Sequence, residues 1–198
     1  MKRIIISFLV YLLFTGCSLP NYILENKTQT TGLDFKKGKW LLNEVDAPYE
    51  VKQKLTELAI KDFSLNLNER LSYVHSTKGL LLPKNIGLNP NKNDLSNLKK
   101  GTGFDYFINI KASTIKDEFG SLDTTPHKLN TGGKKKQSAI VIEVYDLNLL
   151  VIIYSQKAVG SISLPQDSHD VHFTKTANSL IIGGYGKIIN DINTKSIK

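Results

Sequence analysis

Cysteine is nearly absent from this 198-residue chain, which contains one, Cys17. An internal disulfide is therefore excluded, and the stability of the folded body has to come from packed apolar side chains. The chain also lacks a G-x-S-x-G elbow and a second cysteine that could act as a nucleophile. Covalent catalysis by serine or cysteine has no support in the sequence, and we expect a protein that is not an enzyme and uses no cofactor.

Long apolar runs are also missing. The main run extends from Ile4 to Phe14, whereas a membrane-spanning helix needs roughly 20 apolar residues. Lys2 and Arg3 precede this run and small residues follow it, which is the order of a secretory signal. Thr15-Gly16-Cys17 resembles the bacterial lipobox. The resemblance implies a signal peptide over residues 1–16 and a diacylated Cys17 as the first mature residue. The alternatives are an ordinary signal peptide or a cytosolic chain with an apolar start.

The residue after the cysteine is Ser18. Because aspartate at this position retains bacterial lipoproteins at the inner membrane, resemblance to that sorting rule implies the outer membrane. Several acyl chains would anchor the protein stably there, with the body facing the periplasm. Exposure at the cell surface stays open.

Positive charge is in excess, with 26 Lys and Arg against 18 Asp and Glu, a formal net charge of +8. Loss of Lys2 and Arg3 with the signal peptide leaves 24 minus 18, or +6. A basic envelope protein is attracted to anionic lipid or to the acidic cell wall, and nucleic acid is not an expected partner. The candidate contact is the run Lys134, Lys135 and Lys136. The alternatives are that lysine and asparagine are simply frequent in this proteome, because the lysines are scattered, and that the run is a solvated loop.

The chain after the cysteine divides into a tether and one domain. Residues 17–39 have few strong apolar positions and are predicted to be a flexible tether, and residues 40–198 a single domain. Trp40 to Val45 is predicted to be a strand. Apolar residues then recur at helical spacing from Tyr49 to Val74, which predicts a long helix. Leu80 to Leu82 is a predicted short strand that ends at Pro83.

The second half alternates strands with loops. Asp94 is a predicted cap for a short helix that closes at Gly101 and Gly103, and Phe104 to Ile115 is a predicted strand. Lys116 to Ser138 is predicted to be a mobile loop. The stretch from Ala139 to Ser163, interrupted at Asp146-Leu147-Asn148, predicts a hairpin at the centre of the sheet.

The last predicted element is a helix from Ala177 to Ile192, whose glycines allow either close packing on the sheet or a bend. The expected fold is therefore α/β (α+β), a mostly antiparallel or mixed sheet of about five strands with helices packed on it.

His169 and His172 are three residues apart, with Asp170 between them. This spacing suits two metal ligands on one helical turn, but no third ligand is fixed by the sequence and the surroundings favour a loop. We expect no metal at this position and keep the two histidines as weak candidates.

Two predicted strands resemble a family of envelope lipoproteins. Thr102 to Ile110, TGFDYFINI, is similar to a strand of the curli secretion channel protein (CsgG), the penicillin-binding-protein activators (LpoB-like) and the amino-terminal domain of TolB. Val141 to Asn148, VIEVYDLN, is similar to another strand of that family. The resemblance covers roughly Trp40 to Ile192. It implies a sheet of the TolB amino-terminal or anticodon-binding type and a non-catalytic interaction or assembly role.

Three functions remain open at this stage. The first is an activator-like or scaffold lipoprotein that binds envelope proteins or peptidoglycan. The second is a homo-oligomeric subunit of a curli-like secretion apparatus without a barrel of its own, since Lys116 to Ser138 does not alternate as a membrane strand does. The third and least supported is a metal-dependent envelope hydrolase built on His169 and His172.

Overall fold

The computed structural model describes residues 19–25, 31–79, 86–117, 135–163 and 176–198. The strands in these ranges are β1 (Asn21–Glu25), β2 (Trp40–Leu42), β3 (Leu71–Tyr73), β4 (Tyr106–Asp117), β5 (Lys135–Asp146) and β6 (Val151–Ser163). The helices are α1 (Tyr49–Leu67), α2 (Lys92–Thr102) and α3 (Ala177–Lys195). Single turns of 3-10 helix, Asn68–Arg70 and Val74–Ser76, flank β3.

The strands form one mixed sheet in the order β1-β6-β5-β4-β2-β3. β2 runs parallel to β3 and β4, and the pairs β4–β5, β5–β6 and β6–β1 are antiparallel. The predicted α/β class is confirmed, with six strands in place of about five. The predicted hairpin is β5–β6, and its strands extend beyond the predicted start at Ala139.

Alternation along the strands separates two apolar layers. Ile108, Ile140 and Ile142 project to the face covered by α1 and α3 and belong to the larger core cluster, together with Val51, Leu55, Phe63, Ile181 and Ile188 from the helices. Leu41, Phe107 and Tyr145 project to the other face, where Leu95 and Leu98 of α2 cover them. Helices therefore cover both faces, α2 over only part of one.

The predicted helix from Tyr49 to Val74 is too long. α1 ends at Leu67, because Asn68 takes a positive φ of 50° that does not continue a helix. Leu71–Tyr73 then pairs in parallel with β2. Leu71 and Val74 fit the helical spacing by coincidence, since residues of an adjoining strand can fall on the same period.

The predicted tether also requires correction. Asn21–Glu25 is an edge strand paired over its five residues with β6. Leu33 and Phe35 are buried in the main core, at 2% and 1% exposure. The folded body therefore begins well before Trp40. Composition could not reveal this, because an edge strand and two isolated core positions leave most of the segment polar.

Hydrogen bonds join the segment from Leu33 to Phe35 to Ser196 and Ile197. The Phe35 N–H donates to the Ile197 carbonyl oxygen at 3.0 Å, and the Ile197 N–H donates to the Leu33 carbonyl oxygen at 2.9 Å. The Leu33 N–H donates to the Ser196 Oγ at 2.9 Å. Residues 33–35 are therefore held by Ser196 and Ile197.

Four smaller predictions concern a helix cap, a helix end, a loop and a short strand. Asn91, not Asp94, caps α2: its side chain accepts from the Asp94 N–H, and the Asp94 carboxylate accepts in return, a capping box. Gly103, with φ 70°, closes the helix as predicted, whereas Gly101 lies inside it. Both ends of the predicted loop Lys116 to Ser138 are strand, because β4 runs to Asp117 and β5 starts at Lys135, and residues 118–134 lie outside the described residues. The predicted strand at residues 80–82 lies outside the described residues.

Candidate functional sites

The predicted site residues fall into two groups. Cys17, Lys134, His169 and His172 lie outside the described residues, so lipidation and the histidine pair remain predictions. Lys135 and Lys136 lie in strand β5, opposite Ser163 and Ile162 of β6, and so are not in a loop as predicted. Within the described ranges, no group of three or more His, Cys, Asp or Glu side chains could hold a metal ion.

One end of the sheet gathers basic residues beside the point where the chain enters the fold. Asn21, Ser161 and Gln137 lie side by side on β1, β6 and β5. Lys135 and Lys136 follow outward from Gln137, and Lys116 of β4 lies opposite Gln137. We call this the entry end: residues 19–21, Ile115 to Asp117, Lys135 to Gln137 and Ser161 to Ser163. The sequence could not place these segments together, because the first was predicted to be a tether.

The opposite end of the hairpin is apolar and exposed. Leu149, Val151 and Ile152 are 69%, 40% and 43% exposed. Leu150 between them has a φ of 57°, a left-handed conformation that costs a non-glycine residue on the order of 1 kcal/mol. We call residues 149–152 the hairpin tip. The run of apolar residues directly after a predicted turn, Leu149 to Ile153, was the available sequence signal.

Hydrogen bonds fix the geometry of the hairpin tip. The Asp146 Oδ1 accepts from the backbone N–H of Asn148 at 2.8 Å and of Leu149 at 2.9 Å. The Asn148 side chain donates to the Asp105 Oδ1 at 3.3 Å. The turn is therefore held in one conformation although its apolar side chains face solvent.

Asp105 connects the hairpin tip to the rest of the fold. Its carboxylate accepts from the Lys99 Nζ at 2.8 Å and from the Lys39 backbone N–H at 3.0 Å. The bond from Lys99 is the main cause that lowers the pKa of the Asp105 carboxyl below its usual range, and the bonds from Lys39 and Asn148 act in the same direction. Asp105 therefore stays ionised and joins α2, the start of β2 and the hairpin turn.

A buried polar cluster lies on the face that α2 partly covers. The Glu143 carboxylate is 2% exposed. It accepts from the Tyr145 hydroxyl and, at 3.1 Å, from the Asn89 N–H, which also donates to the Tyr145 oxygen at 3.0 Å. Burial, and then the bond to Glu143, raise the pKa of Tyr145 far above its usual range.

The same cluster holds the segment before α2 against the sheet. The buried Asn109 side chain donates to the carbonyl oxygens of Ile86 and Gly87 at 3.2 and 2.8 Å. It accepts from Asn43 at 3.1 Å. Because Glu143 is sealed beneath residues 86–91, its carboxylate fixes this segment and is not presented to a substrate. The sequence could not reveal the role of Glu143, since a charge in a strand is ordinarily solvated.

The described residues thus define a mixed α/β domain with a basic entry end and an apolar hairpin tip. None of its described helices is long and apolar enough to cross a membrane. No family model matches the chain, and no curated protein matches it.

Solved structures give distant matches. One is the PelC dodecamer from Paraburkholderia phytofirmans, at 8% identity and a TM-score of 0.48, covering 91% of this chain and 100% of that one. Another is the hypothetical protein CT253 from Chlamydia trachomatis, at 12% identity and a TM-score of 0.37, covering 80% of this chain and 95% of that one. Similarity at this level assigns neither a family nor a function, and the predicted resemblance to curli-type lipoproteins stays a prediction.

Proposed function

We propose that the protein is an outer-membrane lipoprotein facing the periplasm, where it acts without catalysis as an interaction or assembly module. The sequence supports the anchor through the lipobox-like Thr15-Gly16-Cys17 and Ser18. The observation that carries the interaction role is the exposed hairpin tip. Large apolar side chains that are exposed at neighbouring positions favour a place where another molecule binds.

The conformation of the tip supports a binding role over accidental exposure. Leu149, Val151 and Ile152 are held on a hydrogen-bonded turn, with Leu150 in a left-handed conformation. A fixed apolar surface binds with a smaller loss of conformational entropy than a mobile loop does. The partner we propose is a distinct envelope protein with an apolar recess.

The position of the tip also fits a protein anchored at its amino terminus. β5 runs over twelve residues from Lys135 at the entry end to Asp146 beside the turn. At about 3.3 Å per residue, the tip lies roughly 35 Å from the entry end. A protein anchored near residue 19 would therefore present the tip away from the membrane.

Photocrosslinking in intact cells tests the interaction role. A photoreactive amino acid at Leu149 should yield an adduct with a distinct envelope protein, identified by mass spectrometry. The same amino acid at Leu65, which is 71% exposed on α1, is the control and should give little of that adduct. Leu149→Asp with Ile152→Asp should reduce co-purification of the partner at least tenfold, and Leu65→Asp should not.

Other outcomes separate the alternatives. An adduct of the protein with itself, together with elution far above the monomer mass, would favour the oligomeric subunit. Equal crosslinking from positions 149 and 65 would contradict a binding role for the tip. Stoichiometric zinc in the purified protein would favour the alternative of a metal-dependent hydrolase based on His169 and His172.

Metabolic labelling tests the anchor separately. Radiolabelled palmitate should enter the wild-type protein and not the Cys17→Ala variant, because Cys17 is the one cysteine in the sequence. Equal labelling of both proteins, or of neither, would contradict lipid attachment at this position.

A further inference from the structure

We infer that the entry end is a membrane-contacting surface that binds anionic phospholipid headgroups and holds the body directly against the bilayer. The inference rests on the proposed function in one respect, since the lipid on Cys17 supplies the anchor. The inference extends the proposed function by assigning a second, electrostatic contact with the membrane and a fixed orientation of the body.

The first step is the short distance between the anchor and the fold. Asn21 begins β1 and is fourth in sequence after Cys17. Four residues span at most about 14 Å when fully extended. Because β1 is fixed to β6 by pairing over five residues, acylation of Cys17 places the entry end beside the membrane surface.

The second step is the charge at this end. Lys135 and Lys136 lie one to two residues outward of Gln137, which is two strands from Asn21. With strands about 4.8 Å apart, the lysine backbone lies roughly 10 to 12 Å from Asn21. Lys116 adds a third positive charge, and the acid here among the described residues is Asp117, opposite Lys136. The balance over these four residues is +2.

The short distance from Cys17 to Asn21 lets this charge approach the membrane surface closely enough to be attracted by anionic lipid. The screening length at physiological ionic strength is about 8 Å, and lysine side chains reach several ångströms beyond their backbone. Each lysine near an anionic bilayer strengthens binding about fivefold.

The third step is apolar exposure at the same end. Leu19, two residues before the start of β1, is 82% exposed. Ile115 is the extra residue where the β4–β5 register shifts between Thr114 and Lys116, and it is 53% exposed. Aliphatic side chains beside lysines favour a bilayer interface, where the chains enter the headgroup region and the ammonium groups meet phosphate. A cell-wall polymer would use the charges but not Leu19 and Ile115.

Vesicle binding tests the electrostatic contact without the anchor. The probe is the full mature chain from residue 17, carrying Cys17→Ser, mixed with phosphatidylcholine vesicles or vesicles also containing phosphatidylglycerol. We expect binding only to the anionic vesicles. Lys135→Ser with Lys136→Ser should weaken it about 25-fold, from two factors of five.

The matched control removes the same charge elsewhere. Lys92 and Lys100 are exposed on α2, away from the entry end. Lys92→Ser with Lys100→Ser should change binding less than twofold. Equal losses in the two double variants would show general attraction of a basic protein and would overturn the inference. Absence of binding to anionic vesicles, or lysine-dependent binding to peptidoglycan alone, would overturn it as well.

Orientation is measured on the acylated protein. Because the lipid occupies the thiol of Cys17, a single introduced cysteine can carry a fluorophore. Energy transfer to an acceptor lipid in anionic vesicles should be stronger from Ser163→Cys, at the entry end, than from Asn148→Cys, at the hairpin turn. Equal transfer from the two positions would contradict the inference.

The outcomes separate the two proposals. If palmitate labelling fails but the mature chain still binds anionic vesicles, lipid attachment at Cys17 is contradicted and the membrane-contacting surface is supported. If labelling succeeds but energy transfer is equal from positions 163 and 148, lipid attachment is supported and the membrane-contacting surface is contradicted.

Discussion

Tyr22 of β1 fills the space that a side chain at Gly183 of α3 would occupy. A Cβ built on Gly183 would lie 1.9 Å from the Tyr22 hydroxyl oxygen and 2.4 Å from the ring carbon that bears it. A Cβ on Gly160 of β6 would lie 2.8 Å from the same ring. The edge strand therefore docks through one aromatic side chain that needs two glycines.

Gly183→Ala should displace Tyr22 and loosen β1. We expect a loss of about 1 to 3 kcal/mol in the free energy of unfolding, because the ring cannot retain its position beside a new methyl group. Amide hydrogen exchange of residues 21–25 should accelerate.

Gly186→Ala is the control on the same helix, since a Cβ there meets nothing within 4 Å. It should stabilise the protein by up to about 1 kcal/mol through helix propensity. Similar effects of the two substitutions would mean that the Tyr22 contact is unimportant.

Glu143 is predicted to stabilise the protein through its hydrogen bonds. Glu143→Ala should cost about 2 to 3 kcal/mol, because the Asn89 N–H and the Tyr145 hydroxyl lose a buried acceptor. Glu143→Gln keeps an acceptor oxygen and should cost less than about 1 kcal/mol. Urea denaturation at neutral pH measures both values. Equal losses would indicate that the charge, and not the acceptor, is required.

Asp105 should make a contribution to the stability of the protein that depends on pH in the acid range. Its lowered pKa, caused first by Lys99, means that the folded state favours the ionised carboxylate. The contribution is therefore present above the ordinary aspartate range, near pH 3.9, and is lost as the pH falls through the lower folded-state pKa.

Asp105→Asn tests this contribution. It should cost about 1 kcal/mol at pH 7 and progressively less toward pH 2 in urea titrations. A Lys99→Met, Asp105→Asn double-mutant cycle isolates the ion pair. A pH-independent difference between wild type and Asp105→Asn would contradict the prediction.

Buried tyrosines should make the protein sensitive to alkali. Burial is the main cause that raises the pKa of Tyr145, Tyr154 and Tyr185, and the neighbouring acids Glu143, Asp191 and Asp62 add to it. In the unfolded chain these groups ionise near pH 10. Because the unfolded state then binds fewer protons than the folded state, stability should fall as the pH rises above about 10.

The measurement compares tyrosinate absorbance with circular dichroism during an alkaline titration. These three tyrosines should ionise only as the fold is lost. Tyr154→Phe, which removes the hydroxyl bonded to Asp191 at 3.2 Å, should reduce the slope of stability against pH. Ionisation of all tyrosines before unfolding would disprove the assignment.

Periodicity predicted the elements in which many apolar residues share one face. The hairpin around Asp146 to Asn148 and the helix from Ala177 were predictable, because their packing is repeated over several turns or pleats. The long helix was predicted correctly in type and wrongly in its end. The positive φ of Asn68 terminates the helix, and the presence of an asparagine does not by itself predict that conformation.

Features that depend on distant partners could not be predicted. β1 is a strand only because β6 lies beside it, and Leu33 is held in the core by partners that include Ser196 and Ile197. The entry end has the same origin: Lys135 and Asn21 are more than a hundred residues apart in the sequence and meet through two strand pairings. No local pattern encodes such proximity.

The pairing of residues 33–35 with Ser196 and Ile197 has a consequence for biosynthesis. The segment from Leu33 to Phe35 reaches its final position only after Ser196 and Ile197 have been synthesised. Until then, Leu33 and Phe35 lack the backbone hydrogen bonds to Ile197 that help to fix them in the main core. The amino-terminal part of the body is thus completed by a contact between Leu33 and Ser196, which are 163 positions apart in the sequence.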